Sequence, residues 1–70
     1  MKISAVDEKI LKTLRKSKVP LSTYEVAKKT NIVWSTANSH CYKLKTIKLI
    51  DSKDEESKFG TGEKIVWWIK

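Results

Sequence analysis

Ser35, Thr36, Asn38, Ser39, Tyr42 and Lys43 gather six hydrogen-bonding side chains into one short stretch, directly after Trp34. If that stretch is a helix, Ser35, Ser39, Tyr42 and Thr46 share one face, with Thr36, Asn38 and Lys43 flanking it. Short donors and acceptors displayed on one helical face suit the chemistry of reading base edges in a groove that admits a helix. Asn38 can pair bidentately with adenine, and Thr36 can touch a thymine methyl. No carboxylate occurs from Asn31 to Ile50, although the chain carries eight Asp and Glu. That gap suits a polyanionic partner.

The overall charge points the same way. Fifteen Lys and Arg against eight Asp and Glu leave +7 at neutral pH. Nucleic acid is the commonest partner of a basic domain, and a Lys-rich surface kept for solubility is the alternative. Lys supplies all but one of the cations and Gln is absent, a bias shared by thermophilic archaeal proteins and by AT-rich genomes. The one arginine, Arg15, lies far from the 34–43 stretch, which argues against strong guanine readout and for A·T-rich or deformable sites.

Seventy residues close one hydrophobic core, so a single domain over 1–70 is expected. Ser4 with Asp7 reads as a capping box opening a first helix, whose buried face is Val6, Ile10, Leu11 and Leu14. Pro20 ends it near Ser17 and leaves Val19-Pro20-Leu21 as an extended link compatible with an edge strand. Ser22 and Glu25 form a second capping box, with Leu21 and Val26 as a hydrophobic staple, for a short helix ending at Lys29 or Thr30. Asn31 suits a left-handed cap before a third helix, about 34–47, with Ala37, Cys41 and Leu44 inward. Leu49 to Lys53 and Lys64 to Ile69 read as two strands of a hairpin around a polar loop containing Asp54, Glu55 and Glu56. Ile65, Trp67 and Ile69 should face the core, leaving Val66 and Trp68 as an apolar outer face for a protein partner or second copy.

This order of elements, α+β with three helices followed by a two-stranded wing, resembles the winged helix-turn-helix family. The likeness is carried at residue level by LSTYEVAKKTNIVWSTANSHCYKLKTIKLI, where Ser35-Thr36, His40, Leu44 and Leu49-Ile50 fall at the matching places. Lys48 stands where the family often has Gly, and Val33 where it often has a capping Ser or Thr. The resemblance implies binding of double-stranded DNA, with the third helix in the major groove and the wing on an adjacent groove or the backbone. Phosphate contacts would then come from Ser22, Thr23 and Tyr24 at the second helix start, and from Lys28, Lys29, Lys43, Lys45 and Lys48. On the wing, Lys53, Lys58 and Lys64 are available, with Gly60-Thr61-Gly62 allowing close approach. Trp34 either wedges against the sugar-phosphate backbone or packs on the flank beside Cys41. His40 reads as a half-buried packing histidine rather than a proton-handling one.

A transcription regulator or small chromatin-associated protein is the reading these features favour. A winged-helix protein–protein adaptor is the alternative, drawn from the outer apolar hairpin face and the acidic Asp54-Glu55-Glu56. Single-strand binding ranks lower, because the aromatics do not fall on one platform in the sequence. No nucleophile–base pair or phosphate-binding glycine loop suggests an enzyme, and no small-molecule ligand or cofactor is evident. One cysteine and one histidine cannot form a disulfide or a Cys/His zinc site, and no metal is expected. Charges at Lys2, Asp7, Glu8 and Lys9 interrupt any signal core, and no apolar stretch approaches the roughly 20 residues of a membrane span. A cytoplasmic, nucleoid-associated protein is the expectation.

Overall fold

The structure, a computed structural model, describes residues 3–56 and 63–70. The elements are α1 (Ala5–Lys16), β1 (Leu21–Ser22), α2 (Thr23–Thr30), α3 (Trp34–Thr46), β2 (Ile50–Glu56) and β3 (Glu63–Ile69). The three strands form one antiparallel sheet in the order β1-β3-β2, with Leu21 opposite Trp67 and Ile50 opposite Ile69. This is the winged helix-turn-helix arrangement, and β1 turns the expected hairpin into a three-stranded sheet.

Both capping boxes form. The Ser4 hydroxyl accepts from the Asp7 N–H at 3.2 Å while the Asp7 carboxylate accepts from the Ser4 N–H at 3.0 Å. Ser22 and Glu25 repeat the exchange at 3.2 Å in each direction. These bonds satisfy N–H groups that a helix start leaves without partners. Val33 provides no such side-chain bond, so α3 begins without a side-chain cap.

Among the described residues two that are not glycine take left-handed backbone angles, Asn31 at φ 58° and Lys48 at φ 67°. Each follows a helix and closes it by the same pair of backbone bonds. Asn31 and Ile32 donate to Lys28 and Ala27, and Lys48 and Leu49 donate to Lys45 and Leu44. Asn tolerates this conformation, whereas Lys carries its full steric cost, which is why a glycine suits the position. Lys48→Gly should therefore raise stability by about 0.5–1 kcal/mol, after allowing for the freer unfolded chain. A lowered thermal midpoint for that variant would contradict the assignment.

The core lies between the helices and the inner face of the sheet. Ile10 and Leu14 of α1, Val26 of α2, Ala37, Cys41 and Leu44 of α3, and Ile50 and Trp67 of the sheet form it. Val6, Leu11, Ile65 and Ile69 pack against this cluster from its margin. Trp67 occupies the central strand fully buried, and its indole N–H donates to the Thr23 hydroxyl at 2.8 Å. An indole so deep in a core needs that partner, and β3 is tied to the start of α2 by it.

Two expectations for the hairpin are corrected. Asp54, Glu55 and Glu56 belong to β2, paired with Ile65, Lys64 and Glu63, rather than to a loop. Val66 is only 2% exposed and pairs with β1 and β2 on both sides, so it offers nothing to a partner. The added β1 strand makes β3 central, and a central strand loses the exposure that a two-stranded wing would leave it. Trp68 is half-buried.

Candidate nucleic-acid interface

Helix α3 buries Ala37, Cys41 and Leu44 and turns its remaining faces outward. Ser35 and Ser39 are exposed, and Thr36 and Asn38 are half-buried. Trp34, Asn38 and Tyr42 recur every fourth residue and form a stripe along the helix. Trp34 is 53% exposed and Tyr42 46%. The Tyr42 ring meets Trp67 edge-on, with centroids 5.1 Å apart and planes at 89°, so one edge of an exposed ring is held by a buried one.

A surface groove of about 500 Å³ runs from this stripe to the start of α2 and the sheet. Its lining brings together Tyr24, Trp34, Asn38, Tyr42 and Lys64, with Ser22, Thr23, Asp54 and Ile65. Tyr24 stands 66% exposed on α2. The groove corrects the expectation that the aromatics have no common platform: Tyr24, Trp34 and Tyr42 converge from two helices. Nothing in the linear spacing of residues 24 and 34 reveals this, since the turn at Asn31 sets the angle between their helices.

Other expected contacts are placed elsewhere. Ser22 and Thr23 are buried, one hydroxyl capping α2 and the other accepting from Trp67, so neither side chain is free for a phosphate. Glu25 also places a carboxylate at that helix start. Lys43 turns toward α1, where its ammonium lies 2.6 Å from Asp7 Oδ2, instead of joining the outward face. Lys28, Lys29, Lys45 and Lys48 are exposed, and Lys45 donates to the Ser52 hydroxyl at 2.8 Å. Lys53 lines a separate groove with Arg15, Lys18 and Trp68. Lys58, Gly60, Thr61 and Gly62 lie outside the described residues.

The link from α1 to α3 is a polar feature that the sequence alone did not reveal. The Asp7 carboxylate is fully buried and takes Lys43 on Oδ2 and the His40 ring on Oδ1, each at 2.6 Å. Burial works against its charge, but the Lys43 ammonium, Ser4 and His40 outweigh it and hold the group well below the ordinary carboxylate range. An ionised carboxylate only accepts, so His40 Nδ1 carries the proton in this pair. The available signal was His40 and Lys43 three residues apart, one helical turn, on the flank of the inward stripe. The same burial acts unopposed on Cys41, whose thiol is pushed up to about 12 and stays protonated at neutral pH.

Among the described residues no group of three His, Cys, Asp or Glu stands close enough to hold a metal ion, and no helix is long and apolar enough to cross a membrane.

No family model matches the chain, and no curated protein does. Among solved structures, one described as a possible transcriptional regulator from Methanosarcina mazei Go1 is similar in fold, with a TM-score of 0.83 at 16% sequence identity. The match covers 96% of this chain and 56% of that one, so the chain spans little more than half the length of its structural neighbour. At that identity the likeness establishes the winged-helix fold, and the surface chemistry of α3 has to be judged on this chain's own residues.

Proposed function

We propose that this domain binds double-stranded DNA, with α3 in the major groove and the β2–β3 wing beside it, in the service of transcription regulation or chromatin association. The observation that carries the reading is the outward face of α3. Trp34, Ser35, Ser39 and Tyr42 stand in water on a helix without a single carboxylate, in a chain of net charge +7. Exposed donors, acceptors and aromatics on an acid-free helix match what base edges and phosphates require. The exposed Lys45 and Lys48 at the end of that helix, and Lys28 and Lys29 on α2, would supply the backbone contacts. The regulator description of the structural neighbour agrees with this role.

Binding to a random-sequence duplex of about 30 base pairs should weaken steeply with salt, because each neutralised phosphate releases counterions. Lys45→Ala and Lys48→Ala should each reduce the salt slope by about one without changing base preference. An A·T-rich duplex should bind better than a GC-only one. Unaltered slopes in both variants would remove these lysines from the interface.

A second reading, a protein–protein adaptor, is favoured by the groove at Trp68. Leu14, Val19, Pro20, Trp68 and Ile69 line it, flanked by Arg15, Lys18 and Lys53, which suits an acidic peptide with an apolar anchor. A homodimer through this hairpin face would have to use Trp68 without Val66.

A further inference from the structure

We propose that the groove between α2, α3 and β3 seats one unpaired nucleobase, stacked against Tyr24 and Trp34; the inference rests on the nucleic-acid reading above and narrows it. The chain has six aromatic residues, and three of them line this groove and face water. Tyr24 and Trp34 leave more than half of their surface in water, so a ring-shaped ligand is what their faces fit. The faces of bases within a duplex are covered by their neighbours. Only a base that is unpaired, extruded or in a single strand can stack on a side chain.

The polar groups around the rings fit a base as well. The Asn38 amide, between Trp34 and Tyr42 on the same stripe, offers both a donor and an acceptor to a base edge. Asp54 sits on the groove wall from β2, and its carboxylate accepts from exocyclic amines such as that of cytosine. The same carboxylate repels phosphate, which directs the strand backbone toward Lys64 on the other strand. Tyr42 packs against Trp67, and Trp67 bonds to Thr23, so the core braces that side of the seat.

The test uses the intact chain with three probes: a perfect duplex, the same duplex with one unpaired cytosine at its centre, and the single strand. Affinities are measured together with NMR shifts of the Trp34 indole and Tyr24 ring protons. The bulged duplex should bind roughly tenfold tighter than the perfect one, with upfield shifts of both rings. Trp34→Ala and Tyr24→Ala, both at exposed positions, should each shrink the ratio of the two affinities. Equal affinity for bulged and perfect duplexes, or tighter binding without the ring shifts, overturns the proposal and leaves duplex binding standing. Binding to the bulge and single strand but not to the perfect duplex supports the seat and overturns the duplex reading. Binding to none of the three overturns both.

Discussion

Trp67→Ala should leave the domain largely unfolded at physiological temperature. The side chain is the largest in the core and fully buried on the central strand. Removing it forfeits apolar burial and opens a cavity in the core cluster, and changes of this kind cost about 3–5 kcal/mol. A domain of this length has a total stability of only about 3.5–10 kcal/mol at typical values per residue. Two further losses add to the cavity. The buried Thr23 hydroxyl loses its donor, and Tyr42 loses the ring that orients it. Trp67→Phe separates these effects, since it keeps most of the apolar volume and removes the indole N–H; a loss of about 1–2 kcal/mol is expected. Urea unfolding of both variants provides the comparison. Trp67→Ala within 1 kcal/mol of the parent would show that the sheet does not depend on this residue.

The second large effect belongs to Asp7. Its one carboxylate closes the first capping box and anchors His40 and Lys43 of α3 to α1. Breaking a fully buried ion pair costs about 3–5 kcal/mol. Here the His40 and Lys43 side chains keep 25% and 35% of their exposure, so both can regain water, and about 2–3 kcal/mol is expected for Asp7→Ala. The pH dependence follows from the direction of the shift. The folded carboxylate titrates below the unfolded one, so its stabilisation is fully present above the ordinary value of about 3.9 and is lost as pH falls from there toward the folded value. Comparing Asp7→Asn with the parent isolates this contribution: the difference in urea midpoint should shrink as pH falls below about 4. A difference that persists unchanged into strong acid would mean that the carboxylate charge contributes nothing.

The features legible in the sequence were those decided within one helical turn. Ser4 with Asp7, Ser22 with Glu25 and the left-handed Asn31 each depend on neighbours three or four residues away, and each is found where expected. The inward stripe of Ala37, Cys41 and Leu44 follows from helical period alone. Lys48 at a position that favours glycine was visible as an oddity, and its φ of 67° gives the cause. The missed features are long-range. His40 and Lys43 meet Asp7 across more than thirty residues, and Thr23 meets Trp67 across forty-four. A capping motif read alone does not reveal that Asp7 has two spare lone-pair directions, or that the Thr23 hydroxyl is taken. Val66 was misplaced for the same reason: it lies on a central strand beside Ser22 of β1, and the two residues of β1 carry too weak a local signal to count as a strand. The candidate site divides along this line. The outward residues of α3 were recognisable by period, while the aromatic groove exists only once α2 and α3 are set against each other.

The central claim, that the outward face of α3 meets duplex DNA, is tested most directly by following backbone amide shifts while a random-sequence duplex is titrated in at low and then higher salt. Fast-exchange shifts concentrated in 34–48 and on the hairpin around Lys64, reversed by salt, are predicted. Shifts confined to Arg15, Lys18, Lys53 and Trp68, the residues of the separate groove, or no binding at low salt despite a charge of +7, would contradict the account.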